Sequence, residues 1–385
     1  MIPEDRKDDV VYFNPSRQKE RPLSFPFFSK FSGEKTDDER IEFLVSVMKR
    51  FVQIDSASSW GPELENILRQ LFATAYLLPV QSLSGLDMLL HDERQIKNVL
   101  PFLPPRLHAF WTDSILRRSD NDLAKYLATT NNKIGKFLDY AELTNITDRT
   151  DAKITFEEMI AKGKIFIANL GSSSEHMKKY YSVYLAAHIA EAIFGQAALP
   201  SDKRKPVVFM VDEFQRVASD IFETLFSETR AFNAAIVISN QFMGQIEDKI
   251  QKSIESNIAT KIFMRTQSVG DAEIAEKILG GAVTMSDVIN LPTGGGYIKT
   301  LVNGIPQEAM SINIRRTDHP TENIKAIEDA FIQTTTERYG TPLADIEKQR
   351  TETNSLYYTS DKKEEFLEKM KTHLTNHSTY VHSQD

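Results

Sequence analysis

"VVFMVDEFQRVAS", residues 207–219, decides how this chain reads. An apolar run ending in Val211 leads straight into two adjacent carboxylates, Asp212 and Glu213, and a helix-compatible segment follows. A continuous apolar run of this length is the mark of a strand buried on both faces. The same grammar recurs in "KIFIANL" (164–170), "AIVISNQ" (235–241) and "TKIFMR" (260–265). Helical patterns at 175–194, 215–232, 243–257 and 269–279 separate these runs. Such alternation predicts an α/β fold around a parallel, doubly wound sheet. "GGGYIKTLVNGIPQEAMSINI" (294–314) then reads as an edge hairpin turning at Asn303-Gly304.

Upstream the style differs. Val10 to Phe13 is a short β-type run closed by Asn14-Pro15. From 37 to 148 the periodicity is helical. Pro62 suits a first helical position, and Leu64, Ile67, Leu68, Leu71, Phe72 and Ala75 then fall on one helix face. The expected organisation is a strand and link (1–36), an all-α domain (37–148), an α/β core (149–315) and a helical, polar, partly disordered tail (316–385).

Composition narrows the chemistry. The chain has 385 residues, no cysteine and a net charge of −8. Thiolate metal sites, disulfides and thiol catalysis are therefore excluded. Bulk charge does not coat this protein for nucleic acid, so any DNA contact must come from local basic loops, such as Arg117-Arg118 or Lys203–Lys205. No apolar run reaches the ~18 to 20 residues of a membrane span, and the start does not read as a signal peptide.

In an open parallel sheet, ligands bind beyond the carboxyl ends of the strands. The residues that stand there are Asn14, Asn169 with Gly171, Asp212 with Glu213, Asn240 with Gln241, and Arg265. Adjacent carboxylates at such an end can divide the work of nucleotide hydrolysis, one holding Mg²⁺ and the other orienting water. They can also simply cap the next helix. Gln241 can sense a γ-phosphate or serve as a turn amide. Arg230, in "SETRAFN", is either a cation favoured by a helix carboxyl end or an arginine finger for a neighbouring subunit, with Arg265 as the runner-up.

The phosphate cradle that should accompany these carboxylates is missing. G-x-x-x-x-G-K-[ST] does not occur in the chain. "FSGEKTDD" offers Gly33, Lys35 and Thr36 without the upstream glycine, and Lys299 follows the "GGG" run inside a strand-like segment. "NLGSSSEHMKK" could hold an anion on its amides but has no cradle lysine, and serine capping explains it equally simply.

Taken together, "DVVYFNPSRQKERPLSFPFF", "SSWGPELENILRQLF", Phe110-Trp111, "KIFIANLGSS", the block from Val207 to Phe242 and "NIATKIFMRTQSVGDAEIAEKILGG" resemble, in order, segments of HerA/FtsK-type P-loop ATPases. The resemblance is to the coupling proteins of conjugation and type IV secretion, the TraG/TraD group, over roughly residues 8 to 315. It implies a RecA-like ATPase core with an inserted all-α domain, assembled as a homo-hexamer that moves DNA through its channel. On matching positions Asp212 would carry Mg²⁺, Glu213 would be the catalytic carboxylate of the Walker B motif, Gln241 the sensor and Arg230 the trans finger. ATP and Mg²⁺ would bind only if another segment or chain supplied the P-loop, since the P-loop strand is missing here. The partners implied are DNA, secretion or relaxosome proteins and an amino-terminal polypeptide carrying Walker A. The place implied is cytoplasmic, at the inner membrane face through partners. A non-catalytic DNA- or relaxosome-binding module is the alternative.

Overall fold

The computed structural model describes residues 2–28, 36–55, 60–281, 283–315, 323–358 and 363–381. Gly33 and Lys35 lie outside them. The chain divides into two compact units, Met1–Leu185 with Ile327–Asp385, and Ala186–Ala326.

The first unit is largely helical. Strand β1 (Val10–Phe13) pairs in parallel with β2 (Ile165–Ala168), Val10 opposite Ile165 and Phe13 opposite Ala168. Between them run α1 (Asp37–Asp55), α2 (Pro62–Leu77), α3 (Leu83–His91), α4 (Glu93–Val99), α5 (Pro105–Ala109), a π-helical turn (Phe110–Leu116), α6 (Asp120–Asp139), α7 (Ala141–Thr147) and α8 (Phe156–Ala161). Pro62 opens α2 as its spacing predicts, and Leu64, Ile67, Leu68, Leu71, Phe72 and Ala75 are all buried. Aromatic rings bind the unit together. Phe13 meets Phe25 and Tyr181, Phe27 meets Phe72 and Phe137, and Phe51 stacks on Tyr180. Each such side chain, fully buried, stabilises by about 1.5–3 kcal/mol. Trp111 is buried with its indole N–H donated to Thr74 Oγ1 at 2.9 Å, which satisfies the one polar atom it brings inside.

Helix α9 (Glu175–Gly195) leads into the second unit. There β3 (Val207–Val211) pairs in parallel with β4 (Ala234–Ile238), joined through α10 (Asp220–Glu228). Helix α11 (Asp248–Asn257) follows, and β5 (Lys261–Met264) then leads to α12 (Val269–Leu279) and α13 (Met285–Ile289). Strand β5 pairs antiparallel with β6 (Gly295–Lys299). The short strands β7 (Leu301–Val302) and β8 (Ile305–Pro306) form a hairpin, and β9 (Met310–Asn313) returns along β6. Asn303 and Gly304 both have positive φ, 52° and 79°, as the expected Asn-Gly turn requires.

Two expectations change. Among the described residues the strands form separate small sheets, and β4 is not hydrogen-bonded to β5. Nor are β3, β4 and β5 covered on both faces. Phe209 stacks on Phe222 of α10, whereas Val208, Met210, Val237, Ile262 and Met264 are exposed.

The tail also forms helices: α14 (Ile324–Tyr339), α15 (Leu343–Tyr358) and α16 (Lys363–Val381). Ile332 of α14 packs on Val10 and Tyr12, while Thr335 Oγ1 accepts the Tyr12 N–H at 2.9 Å. Phe366 and Met370, one turn apart on α16, are buried, so this segment adds to the core of the first unit.

Candidate functional site

The carboxyl ends of β3 and β4 are locked together beyond their last ladder residues. Ser239 N–H donates to the Val211 carbonyl at 3.0 Å, and Phe214 N–H donates to the Ser239 carbonyl at 2.8 Å. Between these bonds the chain must turn sharply. It does so at Glu213, whose φ of 52° and ψ of 48° are left-handed. For a glutamate that conformation costs about 1–2 kcal/mol. Phe214, fully buried against Phe222 and Phe226, anchors the far side of the turn. Strain of this sort, held by packing and strand bonds, is a signature of functional positions.

The turn aims the two carboxylates apart. Asp212 Oδ1 accepts the Glu213 N–H at 3.0 Å and the Ser239 hydroxyl. Its Oδ2 accepts no hydrogen bond among the described residues, and Asp212 is exposed. Glu213 Oε1 accepts from Gln241 Nε2 at 2.8 Å, and Oε2 accepts from Gln215 Nε2 at 2.8 Å. Arg216 Nε stands 3.8 Å from the same Oε2. The loop after Gln241 is pinned in turn, because Met243 N–H donates to Asp271 Oδ1 of α12 at 3.1 Å.

Among the described residues no group of three or more His, Cys, Asp or Glu side chains could hold a metal ion.

Arg230 lies in a 3₁₀ turn, Thr229–Phe232, just past α10. Asn233, left-handed at φ 56°, ends that turn and returns the chain to β4. Arg204 ties the turn to the segment before β3, donating to the Ala231 carbonyl and to that of Leu199, while Asn233 Nδ2 donates to the Arg204 carbonyl at 3.1 Å. Arg230 itself is exposed, with no carboxylate partner among the described residues. Arg265, directly after β5, is likewise exposed and unpaired among the described residues.

Asn14 and Asn169 belong to the first unit. Asn169 N–H donates to the Phe13 carbonyl at 2.8 Å, and its Oδ1 accepts from Gly171 N–H at 3.0 Å. A Cβ on Gly171 would stand 3.2 Å from that oxygen, a tight contact. Asn14 is buried and caps no helix.

Ser239, Gln215 and Arg204 are the contributors that sequence reasoning missed. A Ser before Asn240 looks like any turn former, and the side-chain bonds of Gln215 and Arg204 depend on how the chain turns at Glu213 and Asn233.

Residues 114–315, more than half of the chain, match the family described as the type IV secretion-system coupling protein DNA-binding domain. A solved structure of a bacterial conjugative coupling protein, TrwBΔN70 in its unbound monoclinic form, is similar with a TM-score of 0.52 and 12% identity. The match covers 80% of this chain and 74% of that one, and at this identity it speaks for the fold alone. No curated protein matches the chain. Among the described residues no helix is long and apolar enough to cross a membrane. The chain belongs to the type IV secretion-system coupling proteins, of the TraG/TraD kind.

Proposed function

We propose that this chain is the working half of an ATP-driven DNA translocase of conjugation or type IV secretion, built on a RecA-like core and assembled as a hexameric ring. The observation that carries the reading is the Asp212–Glu213–Gln241 cluster, set on the ends of two parallel strands through a strained turn. Bound ATP and Mg²⁺ would supply the scissile phosphate bond and the charge that polarises it. Asp212, whose Oδ2 accepts no hydrogen bond among the described residues, would hold the metal. Glu213, held by two amides, orients the attacking water and accepts its proton. Gln241 reports on the phosphate, a role supported by its bond to that carboxylate. Arg230, exposed and unpaired, stabilises transition-state charge in the adjacent subunit, with Arg265 the substitute for that role. The phosphate cradle comes from a segment outside this sequence. DNA is the transported ligand, bound through basic loops on the cytoplasmic side, with secretion or relaxosome proteins as further partners.

The absence of a cradle motif favours one other reading, a DNA- or relaxosome-binding module that does not turn over ATP. The two separate in one experiment. The chain is mixed with a coupling-protein segment bearing a P-loop, and DNA-stimulated ATP hydrolysis is measured. Turnover abolished by Glu213→Gln supports the motor; DNA binding without turnover in any mixture supports the module.

A further inference from the structure

Beyond the carboxyl ends of β1 and β2 the first unit gathers a second set of polar groups. Asn14 follows Phe13 and Asn169 follows Ala168, the last pair of the parallel ladder. Asn169 Nδ2 donates to the Tyr12 hydroxyl oxygen at 2.9 Å and to Glu328 Oε1 of α14 at 3.1 Å. The Tyr12 hydroxyl donates to the same Glu328 oxygen at 2.9 Å. Burial, ahead of its neighbours, pushes the Tyr12 pKa up, so this hydroxyl keeps its proton. Arg17 Nη1 faces Glu328 Oε2 at 3.6 Å, and its Nη2 pairs with Asp329 at 2.6 Å. The Glu328 carboxylate is thus an anion held by a hydroxyl, an amide and a guanidinium. Asn14 is buried, yet neither polar atom of its side chain has a hydrogen-bond partner. The Ser16 and Ser173 hydroxyls, 3.0 Å apart, tie its turn to the loop that opens α9, whose amino end favours negative charge.

We propose that this end of β1–β2 is a binding site for a phosphoryl group, and that Glu328 of the tail occupies it as a built-in stand-in. Ligands of open parallel sheets bind at this edge. Donors that converge on a carboxylate, an arginine among them, recognise phosphate oxygens by the same chemistry. A phosphoryl group offers more acceptor oxygens than Glu328, which leaves the Asn14 amide unmet. The stand-in can leave. A quarter of the Glu328 side chain and nearly half of Asp329 are exposed, and ion pairs so exposed hold weakly. Helix α14 stays docked without them, because Ile332 packs on Val10 and Tyr12, Thr335 accepts the Tyr12 N–H, and Lys153 Nζ donates to the Gly340 carbonyl. Releasing its first turns therefore opens the site without detaching the tail. All these residues belong to the first unit, whereas Asp212 and Glu213 belong to the second, so the site does not require ATP turnover at Glu213.

Calorimetric titration of the full chain with inorganic pyrophosphate tests the site. Glu328→Ala combined with Asp329→Ala should bind pyrophosphate about tenfold more tightly than wild type, because the open form is no longer a minor fraction. Tyr12→Phe or Arg17→Ala added to that chain should remove most of the gain. Tyr12→Phe deletes only the hydroxyl and keeps the ring that stacks on Phe331, so the fold is retained. Glu364→Ala with Glu365→Ala, exposed on α16, removes the same charge elsewhere and should leave affinity unchanged. An equal gain from that pair would overturn the site in favour of bulk charge. No gain from Glu328→Ala with Asp329→Ala, or a gain that survives both Tyr12→Phe and Arg17→Ala, would overturn it as well. ADP and a DNA duplex then compete for the opened chain. Displacement of pyrophosphate by ADP alone identifies the phosphoryl group as a nucleotide's, and displacement by the duplex identifies it as the DNA backbone's. Displacement by neither would leave a site for small inorganic anions and overturn the assignment.

Discussion

Gln241 Nε2 donates to Glu213 Oε1 at 2.8 Å, tying the end of β4 to the end of β3 across a gap of twenty-eight positions in the chain. The bond exists because Glu213 turns left-handed one residue after Asp212. A right-handed or extended residue there would carry its carboxylate elsewhere. The backbone at Glu213 thus trades stability for aim.

That trade can be measured. Glycine enters the left-handed region freely, whereas alanine meets the same steric cost as glutamate. Glu213→Gly should therefore be more stable than Glu213→Ala by about 1 kcal/mol in chemical denaturation. Equal stabilities of the two variants would mean that the turn is not left-handed in solution.

A second expectation concerns pH. His188, buried on α9, has its pKa pulled down to about 3 by burial alone. Below the unfolded value of about 6.5 the unfolded chain binds a proton that the native one refuses, so this residue's effect on stability is nil above about pH 6.5. It becomes destabilising as pH falls from there towards 3, by about 1.4 kcal/mol per pH unit. Relative to wild type, His188→Leu should flatten the loss of stability between pH 6.5 and 5. Parallel pH profiles for the two proteins would show that His188 is protonated in the fold.

DNA affinity should rest on phosphate contacts and fall steeply with salt. Arg117 is exposed and pairs with Asp113 at 2.8 Å, whereas Arg118 lies over the Tyr126 ring, 3.9 Å from its centroid. If Arg117 meets a phosphate, Arg117→Ala should weaken binding across unrelated sequences and reduce the salt slope by about 1. A variant that changes sequence preference while keeping the slope would point to base contact instead.

These features differ in how far the sequence announces them. Helix α12 runs Val269–Leu279 as its pattern predicts, because Ser268 caps it and Gly280 ends it at φ 80°. Asp212, Glu213 and Gln241 were legible because short apolar runs deliver polar groups to strand ends, and β3 and β4 pair in register. The left-handed turn was not, since neither Gly nor Asn marks residue 213. Nor was the Ser239 bond to Asp212, which follows only from the parallel register. The bare face of Val208 and Met210 was hidden as well, because a continuous apolar run reads alike whether one or both faces are covered.

Complementation measures directly whether Glu213 and Arg230 act on one nucleotide from different chains. Glu213→Gln chains and Arg230→Ala chains, each combined with a P-loop-bearing segment and DNA, should separately lack ATP turnover. Mixed in equal amounts, they should regain about a quarter of wild-type turnover, because random rings place an intact Arg230 beside an intact Glu213 at that share of boundaries. Mixtures as inactive as the separate variants would contradict a trans role, and full activity in Arg230→Ala alone would move the finger to Arg265.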